Sequence, residues 1–112
     1  MSLGLDIIEV ARIESLAARS KKFLPRIFTD EEIAYCRLKK NPWPHFAVRF
    51  AAKEAVWKAL GQKGLTLKDI SVARDKNGRP SVLLRGKKVN DIELSLTHSR
   101  DYALAVAAGL AH

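Results

Sequence analysis

The feature that most limits the fold of this chain is the run from His45 to Leu60, which contains no helix breaker, follows Pro44 and stops at Gly61. Proline suits the first helical position, because the N–H it lacks would be unpaired there anyway. Glycine suits the position just past a helix, where the backbone turns left-handed. One long helix is therefore predicted. Phe46, Phe50 and Trp57 fall along one side of it, and Ala51, Ala52, Ala55 and Ala59 form a small-residue surface that another element can approach closely. Asn41-Pro42-Trp43-Pro44 separates this helix from an earlier one, since proline disfavours helical geometry in the residue before it. The earlier helix is predicted from Asp30 to about Lys39, behind a capping box in which Thr29 and Glu32 exchange side-chain and backbone hydrogen bonds.

The flanks read differently. Leu3 to Ile8 is apolar except for Asp6 and reads as a short buried strand. Val10 to Ala18 carries Val10, Ile13, Leu16 and Ala17 on one helical stripe, with Arg12 and Arg19 on the other face. A basic stretch follows, in which Arg19, Lys21, Lys22 and Arg26 interleave with Phe23, Leu24 and Ile27. Beyond the long helix, Ile70–Ala73 and Ser81–Leu84 flank the turn Asp75-Lys76-Asn77-Gly78, rich in residues that tolerate positive φ. Ile92 to Leu96 alternates apolar and polar, and Tyr102 to Ala107 is a last apolar run. No repeat, low-complexity segment or linker interrupts the order. A strand, then helices, then antiparallel strands predicts an α+β fold, with an antiparallel sheet packed on one long and several short helices in a single domain over residues 1–112.

Composition narrows the classes. A chain of 112 residues fits one domain and buries only about 60–70% of its unfolded surface, so help from oligomer contacts is expected. Its 47% hydrophobic and 29% charged content is wrong for a disordered chain. No apolar run approaches the ~18 residues that span a bilayer. The N-terminus has no basic region leading into an apolar stretch, so no signal peptide is expected. The single Cys36 excludes an internal disulfide, and with no thiol or His at metal spacing it excludes structural zinc, which points to a reducing cytoplasm. The 20 basic against 12 acidic side chains, net +8, suit an anionic partner such as nucleic acid, phosphorylated metabolite, anionic membrane or acidic protein. They equally suit lysines kept for solubility.

A few residues stand out chemically. Asp6, a carboxylate among apolar strand residues, has to be hydrogen-bonded, paired or bound to a cation. Glu54 reads either as an exposed partner of Lys58 at i+4 or as a second oxygen ligand beside Asp6. Two carboxylates from distant segments, completed by waters and phosphate oxygens, are how Mg²⁺ is usually held. Lys58 then stands where an ammonium can neutralise charge growing on a leaving phosphate. His98, at a strand end, either hydrogen-bonds the backbone or points into a cleft. No HExxH, CxxC, Walker loop or GxGxxG occurs.

Three segments together carry a resemblance. Gly4-Leu5-Asp6-Ile7-Ile8-Glu9-Val10-Ala11-Arg12-Ile13, then Arg49-Phe50-Ala51-Ala52-Lys53-Glu54-Ala55 with Lys58-Ala59-Leu60-Gly61, then Ser95-Leu96-Thr97-His98-Ser99 with Tyr102-Ala103 resemble the motifs of holo-acyl-carrier-protein synthases. These are the smaller class of 4′-phosphopantetheinyl transferases. The resemblance implies Asp6 and Glu54 as Mg²⁺ ligands and Lys58 as the lysine near the pyrophosphate, these three making up the catalytic set. It implies Arg49, Lys53, Lys58 and His98 at the coenzyme A site. It also implies Arg12, Arg19 and Lys22 as the basic first-helix surface that grips an acidic acyl carrier protein. Trimers with active sites between subunits are implied as well. Ile8, two residues after Asp6, stands where the larger surfactin-synthetase-type transferases carry another acidic ligand, which favours the trimeric class. Glu93 replaces a frequent His, and Leu84 to Asp91 is short for the extra helix of some relatives.

The expected activity is transfer of the 4′-phosphopantetheine arm of coenzyme A to a serine of apo acyl carrier protein, in support of fatty acid biosynthesis, with adenosine 3′,5′-bisphosphate released. A metal-bound water, Asp6 and Glu54 are all open as the base for the serine proton. The competing readings are a basic nucleic-acid-binding module using Arg12 to Arg26 with Lys87-Lys88, and a metal-dependent phosphohydrolase. The first lacks a stacking platform or recognition motif. Neither a nucleic acid nor a membrane is expected as a partner.

Overall fold

A computed structural model describes residues 1–61 and 64–110 of the chain. In chain order the elements are β1 (Ser2–Glu9), α1 (Val10–Arg19), α2 (Phe23–Ile27), α3 (Asp30–Arg37), α4 (Trp43–Leu60), a 3₁₀ turn (Leu67–Asp69), β2 (Ile70–Arg74), β3 (Pro80–Leu84), β4 (Lys87–Val89), β5 (Ile92–His98) and β6 (Tyr102–Gly109). The fold is α+β, as expected, but the antiparallel strands form two sheets: β1-β6-β5 and β2-β3-β4. The second sheet closes because Arg85 and Gly86, at φ 48° and 83°, turn β4 straight back onto β3. Such a two-residue turn is a hairpin device, and the short stretch from Leu84 to Asp91 holds this hairpin.

The long helix is where the breakers put it, starting one residue early at Trp43 and ending against Gly61, whose φ of 57° accepts the left-handed turn. It lies on the first sheet, small residue against small residue. Ala51, Ala52 and Ala55 of α4 and Ala103, Ala105 and Ala107 of β6 are all fully buried. Gly4 of β1 sits so close that an added Cβ would collide with the Ala55 carbonyl. The aromatic side of α4 is not uniform. Phe46 is buried edge-to-face against Phe28 at 5.1 Å, while Trp57 is exposed and its indole N–H donates to the Leu65 carbonyl at 3.1 Å.

One short helix escapes the sequence pattern, and the next is as expected but slightly shorter. Leu24 and Phe28 anchor α2 in the core although Pro25 sits within it. Its neighbour α3 ends at Arg37, short of Lys39, where the Leu38 and Lys39 N–H groups turn back to the Tyr35 and Cys36 carbonyls.

Candidate active site

The period-two alternation of β1 decides which of its side chains meet α4. Gly4 and Ile8 are buried on that side with Asp6 between them, and Leu3, Leu5 and Ile7 are exposed on the other. On α4, Phe50 and Glu54 are one turn apart. Asp6, Glu9, Arg12, Phe50 and Glu54 thus line one open hollow of about 400 Å³. That is room for many waters at about 30 Å³ each, so a hydrated cation and a phosphate both fit.

The electrostatics of this hollow are those of two partly buried like charges. Burial raises the Asp6 carboxyl above the usual carboxylate range, with the Lys58 charge opposing the shift. Burial raises Glu54 too, and the neighbouring Asp6 charge adds to it, again against Lys58. Lys58 pairs with Asp6, its Nζ 3.6 Å from Oδ1, and donates to the Leu5 carbonyl at 3.0 Å. The i+4 ion pair between Glu54 and Lys58 therefore gives way to a link between α4 and β1. With Glu9 and Arg12 also on the lining, three carboxylates face one half-exposed ammonium and one guanidinium, a net negative pattern that a hard divalent cation fits. Among the described residues no three His, Cys, Asp or Glu side chains cluster as a metal site.

A second, cationic zone lies nearer the start of α4. Arg49 is 7% exposed, with its guanidinium 4.3 Å from the centre of the Tyr35 ring and one N–H directed at the His45 carbonyl. His98 meets His45 edge-to-face, with ring centroids 5.5 Å apart. Burial lowers the His45 pKa, and the charges of His98, Lys39, Arg49 and Arg74 lower it further. Arg49 of α4, Lys39 just beyond α3 and Arg74 of β2 bring positive charge here, beside the His45–His98 pair of α4 and β5.

Lys53, expected at the coenzyme A site, joins neither zone. Its side chain is fully buried, with Nζ 2.7 Å from Glu32 Oε1 and hydrogen bonds to the Leu67 and Ile70 carbonyls. Glu32 has a double duty. It closes the capping box by accepting from the Thr29 N–H at 3.0 Å, and its other oxygen accepts from the Val72 N–H at 3.4 Å. Lys53 thereby ties α4 to α3, to the 3₁₀ turn and to β2.

Arg12, Arg19 and Lys22 are all exposed on or just after α1. Arg12 reaches the carboxylate hollow, whereas Arg19 and Lys22 are not among the residues lining it. Glu93 lines a separate hollow between the two sheets together with Arg74 and Arg79. Tyr35, Lys39, His45 and Arg74 were invisible to sequence reasoning as site residues. They converge only through packing of separate elements, and no spacing signals that.

Residues 2–107 match the family model described as the 4′-phosphopantetheinyl transferase superfamily. The chain is 43% identical over 115 residues to a holo-[acyl-carrier-protein] synthase of Caldanaerobacter subterraneus, covering 94% of this chain and 91% of that protein. It is 46% identical over 105 residues to one of Thermodesulfovibrio yellowstonii, covering 92% of each. Among solved structures it superimposes on the Bacillus anthracis holo-(acyl-carrier-protein) synthase in complex with CoA (3′,5′-ADP) with a TM-score of 0.79 at 34% identity, over 95% of this chain and 92% of that one. The Helicobacter pylori synthase in complex with coenzyme A gives 0.81 at 32% identity, over 96% and 98%.

Proposed function

The chain belongs to the 4′-phosphopantetheinyl transferase superfamily, and from that premise we propose that its carboxylate hollow and cationic cluster together carry out holo-acyl-carrier-protein synthesis. The enzyme transfers the phosphopantetheine arm of coenzyme A to a serine of apo acyl carrier protein. The serine oxygen forms a bond to the phosphorus that bears the pantetheine. The P–O bond to the second phosphate breaks, adenosine 3′,5′-bisphosphate leaves, and the serine proton is lost. The observation that carries this reading is the meeting of Asp6 and Glu54 in one hollow with Lys58 beside them.

Mg²⁺ held by Asp6 and Glu54 would neutralise the pyrophosphate and take up charge on the leaving oxygen. Lys58 places a further positive charge beside the same oxygens, and Arg49 and His98 hold the anionic end of coenzyme A. Such fixed charges act chiefly by positioning and electrostatic stabilisation. Lys53 supports this machinery from below by fixing the helix that bears Arg49, Glu54 and Lys58. Arg19 and Lys22, with Arg12 at the hollow's rim, offer positive charge to an acidic carrier protein. Leu3, Leu5 and Ile7 on β1, with Val106 on β6, leave an exposed apolar face of the first sheet. That face suits burial against further copies in a homotrimer. Residues 1–112 are read as one transferase domain. No described helix is long and apolar enough to cross a membrane. The single, buried Cys36 suits the reducing cytoplasm in which we place the enzyme.

The test is incubation with coenzyme A, apo carrier protein and Mg²⁺, with and without a chelator. The carrier should gain the phosphopantetheine mass, with one adenosine 3′,5′-bisphosphate released per carrier modified, and chelation should stop both until Mg²⁺ is restored. Breakdown of coenzyme A at the same rate without carrier would make the protein a phosphohydrolase instead. Undiminished transfer in chelator would remove the metal from the account.

A further inference from the structure

The Tyr35 side chain lies outside the core cluster that anchors α3, although its carbonyl accepts from the Leu38 N–H at the helix end. It is 39% exposed, yet two cations converge on it. The Arg49 guanidinium of α4 lies 4.3 Å from its ring centre, and the Lys39 ammonium lies 4.6 Å from the same point. Tyr35 and Arg49 line one open hollow with Glu31, Val72 and Arg74. Both cations also act on the phenol, whose pKa is lowered first by the Lys39 contact and less by the Arg49 charge. Neighbouring like charges repel each other. An aromatic face between them offers each a partner and limits the directions in which a long side chain can swing. Besides the ring, Arg49 donates a long hydrogen bond of 3.4 Å to the His45 carbonyl, so the ring shares in orienting it.

We propose that Tyr35 is a positioning residue, an aromatic platform that holds Arg49 and Lys39 against its ring so that both present charge to the anionic end of coenzyme A. The proposal rests on the reading that Arg49 contacts coenzyme A. Tyr35 itself touches no reacting atom. Its contribution is to the order of the two cations before the substrate arrives, which favours binding by reducing the ordering cost.

The test is steady-state kinetics of five variants of the full chain: Tyr35→Leu, Tyr35→Gln, Tyr35→Phe, Arg49→Ala and the double variant Arg49→Ala with Tyr35→Leu. Tyr35→Leu and Tyr35→Gln remove the ring at an exposed helical position with good helix formers, so one decides the matter if the other fails to fold. Each should raise the KM for coenzyme A by about five-fold, in keeping with a cation–π contact at a partly exposed site. The KM for carrier protein and the kcat should stay within about two-fold, since those steps lie outside a binding effect of this kind. Tyr35→Phe, which keeps the ring, should bring the coenzyme A KM back near the wild-type value. Arg49→Ala should raise that KM at least as much, and adding Tyr35→Leu to it should cost little more. An Arg49→Ala effect with no Tyr35→Leu or Tyr35→Gln effect overturns the platform and leaves the coenzyme A reading standing. No effect of Arg49→Ala overturns that reading itself. Equal losses in both KM values, or a Tyr35→Phe variant as impaired as Tyr35→Leu, would also sink the platform.

Discussion

Lys53 and Lys58 sit on the same helix of the same motif and meet different fates. Lys58 is about half exposed, and its 3.6 Å pair with Asp6 is of the screened kind that adds little stability by itself. Lys53 is fully enclosed with Glu32, itself only 5% exposed. Removing one member of such a pair leaves a buried charge without compensation. Lys53→Met should therefore lower the unfolding free energy by about 3–5 kcal/mol in urea denaturation. At a temperature where the variant is folded, its KM for coenzyme A should stay near wild type. An unchanged denaturation midpoint with a raised KM would instead return Lys53 to the substrate site. The sequence shows that both lysines lie on a helix and that Thr29 and Glu32 make a capping box. It does not show that the capping glutamate also neutralises a lysine from another element, because that pairing is made by tertiary packing alone.

At the scale of elements, α4 does most of the organising, and its limits were legible because proline and glycine mark them locally. Its alanines let β1 and β6 approach so closely that Asp6 can share a hollow with Glu54. The family resemblance implies that meeting, and the small-residue surface explains it. Helix α2 and strand β4 were not legible. One is a single turn and a half containing proline, and the other three residues with two lysines, so neither shows a period. Helix α1 has separable roles along its length. Arg12 lies at the hollow, whereas Arg19 at the helix end and Lys22 beyond it lie clear of it. Arg19→Glu combined with Lys22→Glu should raise the KM for carrier protein several-fold and leave that for coenzyme A unaltered, because complementary charge governs encounter and orientation. Rising salt should shrink the difference between variant and wild type, as charges at a wet rim are screened within about 8–10 Å. A double variant with normal carrier KM would move the docking surface elsewhere.

At the scale of the whole molecule, the first sheet is covered on one face only. Leu3, Leu5 and Ile7 are 67%, 58% and 60% exposed in the isolated chain. The N-terminal pattern predicts a buried strand, and the structure buries only the α4 side of it; association of copies would bury the other. Light scattering should give a trimer for the wild type and a monomer for Leu5→Asp combined with Ile7→Asp. A wild-type monomer with full activity would contradict the assembly. The account as a whole stands on two carboxylates brought from β1 and α4 to hold one hydrated cation in front of coenzyme A. Its most direct test is the rate at which folded Asp6→Asn and Glu54→Gln proteins add the phosphopantetheine mass to apo carrier protein in saturating Mg²⁺. Each should fall by at least about 100-fold, the upper end of what loss of an outer-shell metal partner costs, whereas near-native transfer by either variant would contradict the claim that the pair holds the metal.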